Sequence, residues 1–140
     1  MLDLKNKILE DKHIELARVL KILSDYENEL KNIEALVDKY NSDFENTYNS
    51  KDIVNITAIA GYANYFVDAE QKIKNQKFII EKTKNVLKMK QNEVNEAYKE
   101  VKVLEKLKEV QSQKFYKNIE KKEAEEVDDI MTSRYKFQNV

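Results

Sequence analysis

The sequence predicts an all-α fold: a two-helix antiparallel coiled-coil hairpin with a longer, overhanging C-terminal helix. Three observations predict it. The 140 residues contain no Pro and one Gly, Gly61, so the residues that punctuate compact domains with turns are missing. Charged residues make up 36%, with Lys and Glu abundant, which is the composition of long helices. The 41% that are hydrophobic recur with a helical period, which separates the chain from disordered charge-rich sequences.

Helix one is expected over about residues 2–48. Steps of seven from Leu2 reach Leu9, Leu16, Leu23, Leu30, Val37 and Phe44 without a miss. Three residues beyond each rung lie Lys5, Lys12, Val19, Tyr26, Ile33, Tyr40 and Thr47, which turn apolar only from Val19. A turn is expected at about 49–53, where Asn49, Ser50 and Asp52 form the one cluster of cap and turn residues. Helix two is expected over about 54–136. Its ladder runs Ile59, Phe66, Ile73, Ile80, Leu87, Val94 and Val101, with the weaker companions Tyr62, Ala69, Gln76, Thr83, Lys90, Ala97 and Leu104.

A sevenfold apolar period sustained this long supercoils two helices left-handedly. One turn between two helices makes an αα-hairpin, in which partner numbers should total about 103, to within half a heptad. Phe44 then faces Ile59, Leu30 faces Ile73 and Leu2 faces Val101. Residues 1–140 read as a single coiled-coil domain. Residues 72–90 carry seven Lys against one Glu, and an acidic neighbouring helix is the reading preferred for them over a nucleic-acid or membrane patch. Each such surface pair contributes only about 0–1 kcal/mol, so charge biases the pairing that the ladder drives.

Helix one runs out of partners at Met1, opposite about Lys102. Some 35 residues of helix two then overhang by about 50 Å at 1.5 Å per residue. Leu104, Leu107, Val110, Phe115, Tyr116 and Ile119 lie on its first part. A charged block from Glu120 to Asp129 follows, then Ile130, Met131, Tyr135 and Phe137. An unpaired helix with this much apolar surface frays or takes a partner. Ile53 to Val67 holds no charged residue. It either caps the hairpin tip, burying Ile56, Ile59 and Tyr62 against Phe44 and Tyr48, or exposes a binding patch anchored by Tyr65.

Catalysis has little to work with. The lone His13 falls beside the seam on helix surface, no Gly-rich loop exists, and Glu125, Glu126, Asp128 and Asp129 sit in a charge run that reads as a solvated face. No metal-ligand spacing is present. The reading is a non-enzyme without metal or cofactor that binds other proteins. A net charge of −1 argues against a nucleic-acid partner. No apolar run reaches the roughly 20 residues of a membrane span, no secretory signal opens the chain, and Cys is absent, which points to a cytoplasmic protein without direct membrane insertion.

The two-helix layout, Tyr40-x-x-x-Phe44 before the turn, Tyr62-x-x-Tyr65-Phe66 after it, Leu104 to Glu109 and the acidic block before Arg134 together resemble the FliJ family. That family belongs to the bacterial flagellar type III export apparatus and is related to the YscO-type stalk proteins of injectisomes. The resemblance implies a coupling protein similar to the paired helices of a rotary ATPase γ subunit. It implies that the terminal end enters a hexameric export ATPase through Leu104, Leu107, Val110, Phe115, Ile119, Val127 and Met131. It also implies that the other end meets the membrane export gate through Tyr40, Phe44, Tyr65, Ala69 and Gln76, where the small residue expected between Ala69 and Gln76 is Lys72. Escort of export chaperones, a monomeric state in isolation and peripheral placement at the inner face of the cell membrane complete these expectations. The alternative is a generic structural spacer that dimerises through its overhang.

Overall fold

With no Pro and one Gly, nothing in the sequence interrupts the backbone hydrogen-bond ladder of either helix. The fold is taken from a computed structural model, which describes residues 1–49 and 56–138. Helix α1 spans Leu2–Asn49 and helix α2 spans Ile56–Gln138, and no strand occurs among the described residues. Asp3 lies in the first turn of α1 and Lys136 in the last turn of α2, each on the end where its charge complements the helix dipole. The expected turn lies, apart from Asn49, outside the described residues. The chain is an all-α hairpin whose helices pair antiparallel.

Two compact units make up the chain: Met1–Leu9 with Glu96–Val140, and Glu10–Asn95. In both, burial follows the sevenfold ladders. Every rung from Leu2 to Phe44 and from Ile59 to Val101 is buried or half-buried, and so is every companion except Thr47. The most buried apolar side chains are Leu23, Ala69, Ile80, Val94, Ala97 and Val101. A two-helix seam is one layer thick, so no large side chain is fully enclosed.

The register falls within half a heptad of the expected total of 103. The pairs Lys5–Glu100, Lys12–Glu93, Glu15–Lys90, Glu29–Gln76 and Tyr40–Tyr65 each total 105 in residue number, and Gln76 with Tyr26 totals 102. Knobs pack into holes between opposing residues: Phe44 lies between Tyr62 and Phe66, with ring centroids at 5.4 and 6.2 Å.

The polar companions are explained by what they reach. Lys5 Nζ donates to Glu100 Oε2 at 2.9 Å in the first unit. In the second, Lys12 Nζ donates to Glu93 at 3.3 Å and Lys90 Nζ to Glu15 at 3.2 Å. Each lysine stem covers the seam while its ammonium reaches a carboxylate on the flank of the opposite helix. Gln76, 7% exposed, donates its Nε2 to the Tyr26 carbonyl at 3.0 Å and to Glu29 Oε2 at 3.4 Å. A polar seam residue of this kind specifies register at some cost in stability.

Candidate functional site

Three surfaces stand out once the seam is assigned. The first is an aromatic cluster in the Glu10–Asn95 unit. Tyr40 packs on Tyr65 at 4.3 Å between centroids, and Phe44 meets Tyr48, Tyr62 and Phe66. Tyr65 and Phe66 meet edge-on at 5.7 Å. Rings at these separations and tilts suit the quadrupole of the π system. Tyr40, Phe44 and Tyr65 are half-buried. A hollow of about 300 Å³ opens beside them, lined by Tyr40, Ala58, Gly61, Tyr62 and Tyr65.

Only part of the capping reading holds: Ile59 and Tyr62 face the seam, whereas Ile56 and Tyr48, expected to be buried with them, are exposed, and Tyr65, the expected anchor of an exposed patch, is half-buried against Tyr40. Residues 53–55 lie outside the described residues. Of the residues assigned to the export gate, the structure brings Tyr40, Phe44 and Tyr65 into one ring cluster. It places Ala69 and Gln76 within the seam, 4% and 7% exposed, so what they offer is packing beneath that surface.

The second surface is the Lys-rich stretch of α2. An acidic neighbouring helix was expected to account for it, and the structure corrects this. Only Lys90 of the seven lysines forms an ion pair with α1 among the described residues. Lys72, Lys74, Lys77, Lys82, Lys84 and Lys88 are exposed, with Lys82 over the Phe78 ring at 4.6 Å. Lys90 is the exception because it stands at a seam position. Its hydrogen bond to Glu15, then the Glu15 and Glu93 charges, raise its pKa against the opposing effect of burial. The hydrogen bond from Lys12 lowers the pKa of Glu93.

The third is the part of α2 beyond the last paired residue, wholly within the unit that contains Met1–Leu9. Leu104 is half-buried and lines a hollow with Met1, Lys5 and Val103, so it still belongs to the paired stretch. From Leu107 to Lys136 every side chain but Val110 is exposed. Leu107, Phe115, Tyr116, Ile119, Val127, Ile130, Met131 and Tyr135 are among them, from 37% to 68% exposed. The side chain of Phe137 lies outside the described residues.

A family model described as flagellar FliJ protein matches residues 1–139. The chain belongs to the FliJ family. It is thereby a flagellar export-related protein, and the family is a non-enzymatic export component. Comparison with curated proteins and with solved structures found no match. No described helix is long and apolar enough to cross a membrane, and no group of His, Cys, Asp or Glu among the described residues is placed to hold a metal ion. For a FliJ-family chain, sequence alone located the aromatic cluster and the overhang. It missed the hollow beside Gly61, whose one signal is a glycine inside a helix.

Proposed function

We propose that the chain is the stalk of a flagellar type III export ATPase complex. It joins the hexameric ATPase, through the end of α2, to the membrane export gate, through the aromatic cluster. The observation that carries this is the overhang: eight large apolar side chains between Leu107 and Tyr135, each more than a third exposed, with no partner from α1. Such a stripe is a binding face in search of apolar surface. ATPase contacts fall to Leu104, Leu107, Val110, Phe115, Ile119, Val127 and Met131, with Leu104 at the root of the overhang. Gate contacts fall to Tyr40 and Tyr65, with Phe44, Ala69 and Gln76 holding them from beneath. The stalk acts by presenting different side chains to different ATPase subunits, with no bond made or broken, and works peripherally at the cytoplasmic face of the membrane. Export chaperones are further partners.

Deleting residues 107–140 tests the reading. Helix pairing should survive by circular dichroism, while binding to the hexameric ATPase is lost. A truncated chain that binds the ATPase as the full one does would end this proposal. A concentration-dependent dimer of the full chain in ultracentrifugation, abolished by the deletion, would favour the spacer instead.

A further inference from the structure

Six exposed lysines of α2 have no ion pair among the described residues: Lys72, Lys74, Lys77, Lys82, Lys84 and Lys88. Between Glu70 and Glu93 they share the helix with one carboxylate, Glu81. The facing residues 13–33 of α1 hold four carboxylates and three Arg or Lys. The hairpin is therefore strongly cationic along this part of α2 and close to neutral along α1. Lys74 and Lys77 stand three residues apart and Lys84 and Lys88 four, spacings at which like charges destabilise a helix. No ion pair with α1 offsets that repulsion.

The heptad places these charges around two exposed apolar side chains. Phe78 stands five residues after the rung Ile73, on the side of α2 turned furthest from the seam. It is 60% exposed, and only the Lys82 ammonium, 4.6 Å from the ring centre, lies over it. Met89, 62% exposed, stands two residues after the rung Leu87. Lys74 and Lys88, one after their rungs, lie to one side of this ridge, and Lys82, two after, lies to the other. Lys77 and Lys84 stand nearer the seam, within reach through their four-carbon stems.

Residue type selects the partner. All six cations are Lys, and the stretch has no Arg. Planar, bidentate recognition of carboxylates or phosphates favours Arg, and Lys is depleted at protein interfaces. Single-stranded nucleic acid calls for a series of stacking rings, where Phe78 stands alone. A phosphate backbone makes no use of exposed Phe and Met. An anionic bilayer uses both parts: mobile point charges meet acidic headgroups, and apolar side chains enter the acyl boundary.

We propose that the outer face of α2 from Lys72 to Lys88 is a docking surface for a bilayer containing anionic phospholipid. About 24 Å of helix lies along the headgroups, with Phe78 and Met89 directed into the boundary and the lysines reaching phosphate level on either side. The contact is interfacial, and no described helix crosses the membrane. A chain lying along the bilayer is in a state separate from the one that joins ATPase to gate, and the proposal rests on neither of those contacts.

The full chain is mixed with vesicles of phosphatidylcholine alone, or of phosphatidylcholine and phosphatidylglycerol in equal parts, and binding is read by co-sedimentation. Mixed vesicles should bind wild type about tenfold or more above neutral ones at low salt, and the difference should disappear in about 1 M salt. The chain has no Trp, so Phe78→Trp supplies a lone indole on the proposed face. Asn28→Trp supplies one on the outer face of α1, at an exposed position five residues after the rung Leu23. Fluorescence of Phe78→Trp should shift to shorter wavelength on binding and be quenched by brominated lipid, whereas that of Asn28→Trp should do neither. Lys74→Gln with Lys84→Gln and Lys88→Gln should weaken binding by about tenfold or more with unchanged helicity, since each lysine near an anionic surface carries about a fivefold effect. Lys108→Gln with Lys114→Gln and Lys117→Gln, an equal loss of charge in the overhang, should leave binding close to wild type. If the first triple variant unfolds, the two indoles still decide. Absence of binding to mixed vesicles, equal binding to neutral ones, an equal loss in the overhang variant, or quenching at Asn28→Trp in place of Phe78→Trp overturns the proposal. Duplex DNA bound through the same three lysines, by a chain that ignores the vesicles, reassigns the face to nucleic acid and overturns the bilayer. Neither ATPase nor gate is present in these mixtures, so failure here leaves the stalk reading standing.

Discussion

Within the Glu10–Asn95 unit, two stretches of one seam are fastened by different physics. Around Phe44 the helices share rings, with centroids from 4.3 to 6.4 Å apart. Around Lys12 they share four charges, since Lys12 and Lys90 each approach both Glu15 and Glu93 within 4 Å. Ring burial removes apolar surface from water and is not screened by dissolved ions. The ionic side chains keep 28% to 40% of their surface exposed, so solvent screens them. The sevenfold ladder runs through both stretches alike. Equal spacing therefore conceals unequal strength.

The largest effect should come from Phe44→Ala, which removes contacts to three rings. Fully buried Phe→Ala changes cost about 3–5 kcal/mol, and half-burial should reduce this to about 2–3 kcal/mol. Urea unfolding measures it, and a loss that shrank between about 50 mM and about 1 M salt would contradict the contrast. Lys12→Ala with Glu93→Ala should lower the urea midpoint by much less, and the difference should vanish in high salt. A double variant as damaging as Phe44→Ala would reverse the ranking.

The smallest effect should be that of pH. Lys90 has a raised pKa, so its contribution is fully present below its ordinary value of 10.5 and is lost as pH rises through the higher folded value. Glu93 has a lowered pKa, so its contribution is present above 4.5 and is lost as pH falls through the lower folded value. Chemical-denaturation midpoints should be flat between these limits and fall slightly outside them. Lys90→Met should reduce the alkaline fall and leave the part due to Lys102, whose pKa is raised by its hydrogen bond to Glu105.

The faces of both helices were legible in the sequence because a sevenfold repeat fixes which residues point inward. Thr47 alone among the seam positions is exposed, bonding its Oγ1 to the Asp43 carbonyl at 2.8 Å. The stagger between the helices was legible only to within half a heptad, because sliding one ladder past the other leaves every rung apolar. What fixes it are the companions that looked weak: Lys5, Lys12 and Lys90 each pair across the seam at one offset only, and Gln76 reaches both Tyr26 and Glu29 on the facing helix. Counting acids against lysines likewise misplaced the role of residues 72–90, since composition ignores direction. Of those lysines only Lys90 is ion-paired across the seam among the described residues, and Lys72 lines a hollow with Ile33 and Leu36 of α1. The overhang was visible from helix lengths alone, and Leu104, expected on its first part, is half-buried beside a hollow that Met1 also lines.

The unpaired end of α2 keeps a different count from the paired part. From Tyr116 onward three apolar positions return after eleven residues: Tyr116 to Val127, Ile119 to Ile130 and Ala124 to Tyr135. Eleven residues complete three turns at about 3.67 residues per turn, slightly more than a relaxed helix takes, so such a stripe drifts in the opposite sense from a heptad seam. A protein gripping this stripe along its length would therefore trace a nearly straight or gently right-handed path, whereas a sevenfold seam favours a left-handed one.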